Sequence, residues 1–276
     1  MLGAPLIALC SGNLDLLAEE NRNSSWPMPK SRQFRSQTEY DWERGMRIFI
    51  ISDLHANLEA LSALPRDYDE LWVLGDLVNY GPNPAEIIDF VRSHASMIIR
   101  GNHDHSVGFG AECRCAPRFR AMAEATRDYT SSVLSAADKQ FLRDLPTRAR
   151  RQVDGQAFFL CHATPSDPLY EYRPPGSPLW ERDEGAGAGA NVVLVGHTHL
   201  QFARRLDRRT VVNPGSLGQS KAGDPRARYA VWQDGDVEVK AYEYPVAKTV
   251  EKILALPLAD EVKRDLVHVL RTGMVP

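Results

Sequence analysis

Residues 46–55 read MRIFIISDLH, an apolar run that ends at a carboxylate and an imidazole. The four residues over 48–51 show no polar alternation, which is typical of a strand covered on both faces. Ser52 and Asp53 end the run as turn or N-cap residues, before a segment of helical composition over 56–61. We therefore predict a buried strand that leads directly into a turn.

The pair Asp53 and His55 is the first candidate for a metal site. Side chains two positions apart in an extended segment point the same way, so we predict that these two converge on one ion. A lone Asp-x-His pair has an alternative interpretation, namely an N-cap aspartate followed by a surface histidine. The downstream sequence decides between the two.

The composition is that of an ordinary soluble globular protein. The chain has 276 residues, of which 43% are hydrophobic and 25% charged, and its formal net charge is -3. This charge excludes a globally basic nucleic-acid footprint, and no apolar stretch reaches the roughly 18 to 20 residues that span a bilayer.

Cys113 and Cys115 are too closely spaced for a Cys-x-x-Cys pair and stay unassigned, and we predict a reducing, cytoplasmic location.

The chain divides near Met46. Residues 1–45 are polar and poorly periodic, which predicts a flexible N-terminal extension, and residues 46–276 are predicted to form a single domain. Strands and helices alternate from Met46 onward, a pattern that indicates parallel sheet with right-handed crossovers. The predicted strands cover 48–52, 71–74, 97–99, 157–161, 192–195, 211–212, 228–232 and 237–242, and the predicted helices cover 58–64, 85–93, parts of 117–145, 250–254 and 262–270.

Polar residues follow almost every predicted strand. In open α/β sheets, sites form beyond the carboxyl ends of the strands, so these side chains are expected to lie together. They include five of the eight histidines of the chain, a placement that separate helix caps and core histidines do not explain. The set is Asp53, His55, Asp76, Asn102, His103, His162, His197 and His199.

The donor types indicate a transition-metal site. Mixed carboxylate, amide and imidazole donors suit Mn, Fe, Co, Ni or Zn, whereas an all-oxygen site would suit Mg or Ca. The set contains no cysteine, which argues against a closed structural zinc site. It also contains too many ligands for one ion, so we predict two divalent metal ions, with Mn favoured.

The same residues resemble the motifs of the calcineurin-like metallophosphoesterases, in order and across most of residues 46–199. Two further segments, 75–82 and 213–219, resemble the small bacterial and archaeal phosphodiesterase-like branch, in which some members have Cys where this chain has His103. The motifs are Asp53-Leu54-His55, Gly75-Asp76, Gly101-Asn102-His103-Asp104, His162 and Gly196-His197-Thr198-His199.

This resemblance implies an α/β fold, a four-layer α-β-β-α sandwich with mixed sheets. It also implies how the ligands divide: Asp76 bridges two ions, and Asn57 braces the Asp53 turn. One ion would be held by Asp53, His55 and His199, and the other by Asn102, His162 and His197.

Two metals about 3.5 to 4 Å apart lower the pKa of a bridging water, so that hydroxide attacks phosphorus in line. His103 can then protonate the leaving alkoxide, and Asp104 is expected to orient His103. An alternative for His103 is a loop histidine that only hydrogen-bonds Asp104. Candidates for substrate contact are Tyr80, Arg114, Arg118, Arg173 and Lys221, although a surface role is the commoner interpretation of each taken singly.

The predicted function is hydrolysis of small phosphate esters, with phosphodiesters or nucleotides preferred on the strength of the resemblance. A monoesterase and a dinucleoside polyphosphate hydrolase stay open, because they share the same metal chemistry. An alternative of another class is a non-catalytic scaffold that binds proteins through the same fold. Neither a membrane partner nor a nucleic-acid partner is expected, and a homo-oligomer is compatible with these features.

Overall fold

The computed structural model describes residues 45–182 and 187–276, which belong to one compact unit. Apart from Gly45, the predicted extension over 1–45 lies outside the described residues. The strands are β1 (Ile48–Ile51), β2 (Glu70–Val73), β3 (Met97–Ile98), β4 (Arg148–Val153), β5 (Gln156–Cys161), β6 (Val192–Leu194), β7 (Phe202–Arg205), β8 (Thr210–Asn213), β9 (Ala227–Gln233) and β10 (Asp236–Tyr242). The α-helices are α1 (Leu58–Ser62), α2 (Pro84–His94), α3 (Asn102–Phe109), α4 (Arg120–Val133), α5 (Ala136–Asp144), α6 (Val246–Ala255) and α7 (Asp260–Thr272).

The strands form two five-stranded mixed sheets. The first sheet has the order β10-β9-β1-β2-β3, and the second has the order β4-β5-β6-β8-β7. Strands β1, β2 and β3 run parallel in the first sheet, as do β5, β6 and β8 in the second. The remaining strands pair antiparallel. The predicted α/β architecture with mixed sheets flanked by helices is therefore confirmed.

The main core lies between the two sheets. Ile48 and Ile50 of β1 belong to it with Trp72 of β2, and Phe158 and Leu160 of β5 belong to it from the second sheet. The Trp72 and Phe158 rings pack edge to face with centroids 5.2 Å apart. Burial of one such side chain contributes about 1.5 to 3 kcal/mol, so this layer fixes the sheets against each other.

Strand β1 is covered on both faces, as its unbroken apolar run predicted. All four of its residues are fully buried. Because alternate side chains point to opposite faces, Phe49 lies away from the inter-sheet core and packs against Tyr68 and Tyr229, with ring centroids 5.1 and 5.0 Å away. The strand is therefore held in one register, and the residues that follow it have a fixed position.

Helices cover the outer side of this arrangement. Helices α4, α6 and α7 share a cluster of apolar side chains with Tyr80. Ser135 caps α5, because its side chain accepts a hydrogen bond from the Asp138 backbone nitrogen in a capping box. The chain leaves helical structure between α6 and α7, around Pro257, which was predicted.

Strands β4 and β7 are absent from the sequence prediction. Both lie at edges of the second sheet, and their sequences, RARRQV and FARR, contain several arginines. An edge strand with one solvent-facing side tolerates charge, and charged residues there discourage pairing with other chains.

Candidate metal centre

The carboxyl ends of the parallel strands from both sheets meet at one place. From the first sheet, Asp53 follows β1, Asp76 follows β2, and Asn102 begins α3 after β3. From the second sheet, His162 follows β5, and His197 and His199 follow β6. Backbone hydrogen bonds from Leu217 and Gly218 to the carbonyl oxygens of Ser52 and Asp53 join the two sets.

Several of the candidate ligands have left-handed backbone conformations. The φ angles are 53° at Asp53, 44° at His55, 55° at Asp76, 65° at His197 and 60° at His199. Non-glycine residues with such angles are uncommon and are concentrated at functional sites. Asp53 and His55 do converge, but not as alternate residues of an extended segment: the strand ends at Ile51, and a strained turn brings them together.

Two glycines permit the close approach of the loops. A Cβ atom at Gly196 would collide with the Ser52 hydroxyl, and one at Gly101 would collide with the Asp76 carboxylate. A side chain at Gly196 would push apart the loops of the two sheets, and one at Gly101 would push apart the loops that follow β3 and β2 in the first sheet. The glycines that precede Asn102 and His197 in the motifs are thus required by packing.

The first half-site consists of Asp53, His55 and His199. The Nε2 atoms of the two histidines lie 3.1 Å apart, and Asp53 Oδ1 lies 3.3 Å from His199 Nε2. Each ring places Nδ1 at a backbone carbonyl, of Val78 for His55 and of Gln219 for His199. Because a carbonyl only accepts, both Nδ1 atoms carry the proton, and both Nε2 lone pairs face the same space.

A cation fits this half-site better than any neutral arrangement of the same atoms. Asp53 Oδ1 is buried and has no hydrogen-bond partner among the described residues. It faces two imidazole lone pairs, so three acceptors converge, and the Lys221 ammonium donates toward one of them, His199 Nε2, at 3.4 Å. Orientation of a histidine by a carbonyl at its other nitrogen is the usual arrangement for a metal ligand.

The second half-site consists of Asn102, His162 and His197. Asn102 Oδ1 lies 3.2 Å from His162 Nε2 and 3.0 Å from His197 Nδ1. His162 donates from Nδ1 to the Leu74 carbonyl, and Asn102 donates from Nδ2 to the Cys113 carbonyl, so the other atom of each faces the site. This half-site also presents mainly acceptors.

Asp76 lies between the two half-sites. Its Oδ2 is 3.2 Å from His162 Nε2 and 3.8 Å from His55 Nε2. Its Oδ1 accepts a hydrogen bond from the backbone nitrogen of His103. One carboxylate thus reaches both half-sites, which is the position that a bridging ligand requires.

The electrostatics of the site call for positive charge. Burial and neighbouring His199 hold the pKa of His55 well below its usual range. Burial also opposes protonation of His162, but Asp76 and Asp53 outweigh it and raise the pKa of His162 to about 9. Without a metal, the two carboxylates therefore favour the protonated, positively charged form of His162.

Asn79 holds the His103 ring in place, and this was not found from the sequence. The Asn79 amide nitrogen lies 2.9 Å from His103 Nδ1, which leaves Nε2 free of that contact. Asp104, predicted to orient His103, accepts hydrogen bonds instead from the backbone nitrogens of Asp76, Leu77 and Gly101. Its role is corrected to holding the Asp76 loop, because its neighbour His103 points elsewhere from the helix.

Asn57 supports the Asp53 turn, as the resemblance implied, and it does so through Gly218. It caps α1 by accepting from the Ala60 backbone nitrogen, and its side chain donates to the Gly218 carbonyl. Gly218 in turn donates to the Asp53 carbonyl. Asn57 therefore supports the Asp53 turn through Gly218 and does not contact the aspartate side chain.

The structure separates the candidate substrate residues. The Lys221 ammonium lies 3.4 Å from His199 Nε2 and over the Phe119 ring, at the metal centre itself. The Arg173 guanidinium bonds Glu171 and packs on Trp180, which is a structural role. The remaining candidates contact aromatic rings: Arg114 lies over Tyr170, Arg118 over Phe119, and Tyr80 packs against His55 and His103.

Sequence comparison assigns this fold and its motifs to a known superfamily. Residues 46–234 match the model of the calcineurin-like phosphoesterase superfamily domain. This match covers more than half of the chain, and the chain belongs to that superfamily, as its motifs predicted.

Several relatives and solved structures are similar to the chain. An uncharacterised protein of Methanocaldococcus jannaschii is 30% identical over 230 residues, which cover 75% of this chain and 91% of the relative. A symmetrical bis(5'-nucleosyl)-tetraphosphatase of Vibrio campbellii is 25% identical over 195 residues, 67% of this chain and 65% of that protein. The crystal structure of a metallophosphoesterase from Sphaerobacter thermophilus has 32% identity and a TM-score of 0.68, and covers 83% of this chain and 100% of its own.

Within the described residues, none of the helices combines the length and the apolar composition that a membrane crossing needs.

Proposed function

We propose that this protein hydrolyses phosphate esters with two divalent metal ions, one at each half-site. The observation that carries the proposal is the convergence of three buried acceptor atoms at Asp53, His55 and His199, of which Asp53 Oδ1 has no hydrogen-bond partner among the described residues. The superfamily membership supports the same chemistry. Two ions held there would supply Lewis acidity toward phosphoryl oxygens and lower the pKa of a bound water, for in-line attack on phosphorus.

The residues of the chain have distinct parts in this reaction. Asp76 fixes the spacing of the half-sites because it reaches both. Asn79 holds the Nδ1 side of the His103 ring, so that Nε2 can give a proton to the leaving oxygen. The Lys221 ammonium is the cation beside the half-sites and attracts the substrate phosphate.

Phosphodiesters and nucleotides are the proposed substrate class, with manganese as the proposed metal. Symmetrical bis(5'-nucleosyl)-tetraphosphatases among the relatives favour a second candidate, a dinucleoside polyphosphate. A protein-binding scaffold without activity is a weaker proposal, because the chain keeps both sets of acceptors and Asp76 between them.

Metal restoration tests the proposal. The protein is stripped with a chelator, reconstituted with Mn, Zn, Co, Ni or Mg, and assayed with bis(p-nitrophenyl) phosphate. Manganese is expected to restore turnover, and a parallel panel of a monoester, nucleotide diesters and a dinucleoside tetraphosphate ranks the substrate classes. If no divalent metal restores cleavage of any member of the panel, the proposal fails.

His103→Ala tests the proton donor. The kcat should fall by about 10²- to 10⁴-fold for an alkyl ester, whose leaving oxygen needs a proton. The loss should be much smaller for p-nitrophenyl esters, whose leaving group is stable as an anion. Metal content should not change, and the exposed His268→Ala serves as the control. An equal loss for both leaving groups would assign His103 a different role.

A further inference from the structure

The loop between α3 and α4 places two cysteines beside His103. Cys113 and Cys115 are joined in a disulfide, a pairing that the sequence did not reveal. Cys115 Sγ lies 3.7 Å from His103 Nε2, and the Tyr80 hydroxyl reaches the same sulfur at 4.0 Å. Asn102, a ligand of the second half-site, donates to the Cys113 carbonyl. The cysteine loop is thus in contact with the metal centre and with its proton donor.

The three side chains have the spacing of a metal site. The two sulfurs and a nitrogen of His103 all lie within 4.8 Å of one another. A tetrahedral zinc ion, with bonds of about 2.3 Å to sulfur and 2.05 Å to nitrogen, holds such N and S atoms about 3.6 Å apart. The observed 3.7 Å between His103 Nε2 and Cys115 Sγ meets this requirement without movement of the backbone.

The two cysteines can also bind one ion together. Two sulfurs on a tetrahedral zinc ion lie about 3.8 Å apart. The Cα atoms of Cys113 and Cys115 are 5.4 Å apart, which permits that separation once the sulfurs are no longer bonded. Both residues are only partly buried, so an ion has access from solvent.

The donor set differs from that of the two half-sites. Two thiolates and an imidazole select soft or borderline ions such as zinc, whereas the half-sites, with carboxylate, amide and imidazole donors and no sulfur, accept manganese. Three protein ligands leave a fourth position for water, which is typical of exchangeable zinc sites and not of closed structural ones.

We propose that Cys113, Cys115 and His103 form a third metal site, which binds zinc when the cysteines are reduced and thereby withdraws His103 from phosphoester hydrolysis. Zinc on Nε2 occupies the lone pair through which His103 would exchange its proton with substrate. The amide of Asn79 can adapt, because its Oδ1 has no hydrogen-bond partner among the described residues and, after a flip, can accept a hydrogen bond from the Nδ1–H group of His103.

The oxidation state of the cysteines controls the site. A dithiol reductant gives two electrons and two protons to the Cys113–Cys115 bond, which becomes two thiols while the reductant becomes a disulfide. Zinc then displaces the two thiol protons and binds both sulfurs. In the disulfide form neither sulfur is a thiolate, so zinc has no pair of thiolates to bind.

Cobalt provides a probe that does not depend on enzyme activity. The full chain is loaded with manganese, reduced with a phosphine under anaerobic conditions, and titrated with Co²⁺. One equivalent is expected to produce a thiolate-to-cobalt charge-transfer band in the near ultraviolet. Cys113→Ser, Cys115→Ser and the oxidised protein should lack the band, whereas the matched control Cys10→Ser should keep it.

Zinc inhibition tests whether zinc withdraws His103 from hydrolysis, a part of the proposal that rests on the proposed function. One equivalent of zinc should reduce the turnover of the reduced enzyme at least about 10-fold, since the general acid that it removes contributes about 10²- to 10⁴-fold. The oxidised protein and Cys113→Ser should resist, with unchanged manganese content. The proposed third metal site is wrong if the reduced protein shows no thiolate-to-cobalt band, or if the band persists in both Cys113→Ser and Cys115→Ser. A band with unchanged turnover overturns the withdrawal of His103, and a protein without any turnover but with the band fails only the proposed hydrolysis.

Discussion

The two half-sites differ in how closely the protein encloses them. In the first half-site, Asp53, His55 and His199 are all at most 2% exposed. In the second, His197 is only partly buried, and its ring lies against Tyr172, which is 54% exposed. A ligand on the solvent side lets an ion and a substrate enter, so the second half-site is expected to be the more exchangeable one.

The difference follows from how the chain reaches each half-site. The candidate ligands of the first half-site all have left-handed backbone angles, whereas in the second half-site only His197 does. In the second half-site, Asn102 begins a regular helix and His162 directly follows β5. A strained backbone conformation persists only where the surrounding structure stabilises it. The first, more enclosed half-site therefore depends more on the surrounding fold.

The largest expected effect comes from the carboxylate that the half-sites share. Asp76→Asn should lower kcat by about three orders of magnitude, because Lewis-acid stabilisation of several kcal/mol depends on both ions. Metal analysis should show fewer than two ions per chain. Asp154→Asn, at an exposed hairpin turn, is the control. Retention of both ions and of turnover would show that the half-sites do not depend on Asp76.

The second expected effect concerns the pH dependence of the metal-free protein. The pKa of His162 is about 9 in the folded protein and 6.5 in the unfolded chain. Its contribution to the free energy of unfolding is therefore complete below pH 6.5 and is lost as pH rises toward 9. This difference corresponds to about 3 kcal/mol. Burial lowers the pKa of His197 to about 3, so its contribution is present above pH 6.5 and is lost as pH falls. Stability should therefore be greatest near pH 6.5.

Thermal unfolding in chelator between pH 4 and 9 measures this profile. His162→Gln should remove the alkaline decline, and His268→Gln should not. Excess manganese should also remove the decline, because the ion replaces the proton. A metal-free protein whose stability rises steadily to pH 9 would contradict the assigned charge state of the second half-site.

Release of metal to a chelator separates the half-sites directly. The wild-type protein should lose its ions in two phases, and the fast phase belongs to the half-site with His197. His197→Asn should abolish the fast phase, and His199→Asn should abolish the slow phase. Loss of a residue that only hydrogen-bonds a metal ligand lowers metal affinity by roughly 10- to 100-fold, and loss of the ligand itself should lower it at least as much. A single phase in the wild type, or the reverse assignment, would break the distinction between the half-sites.

The smallest expected effect is at Lys221. Lys221→Gln should raise KM about 10-fold, because a charge-assisted hydrogen bond contributes about 1.5 to 3 kcal/mol and water replaces part of it. Metal content should not change. Lys248→Gln is the control, because Lys248 is exposed. A fall in metal content instead would place Lys221 in the structure of the first half-site.

Much of the fold could be predicted from local sequence, because its buried strands are unbroken apolar runs. Strand β1 is the clearest case, since both of its faces are covered. Strands β4 and β7 were missed because their arginines interrupt the apolar pattern, which charged residues can do at the edges of a sheet. Edge position depends on the neighbours that a strand acquires, and nothing in four or six residues specifies it.

The candidate site was predictable in its membership but not in its contacts. The five motifs supplied every candidate ligand of the two half-sites, and the structure brings these side chains together. The partner of His103 was predicted to be Asp104 and is Asn79 instead, because adjacent helical residues point in different directions. The Cys113–Cys115 disulfide was likewise not predicted. The contact of Cys115 with His103, which lies on helix α3, also depends on the tertiary structure.

The sequence by itself determined which donor atoms are present, their order along the chain, and the strands that deliver them, since these depend on residue type and local pattern. Only the tertiary structure decided where those atoms face. The apolar layer between the sheets sets the distance from Asp53 to His199, and backbone carbonyls on neighbouring loops select the histidine nitrogen that faces the site. Residues far apart in sequence are brought within 4 Å by packing, and packing is a property of the whole fold.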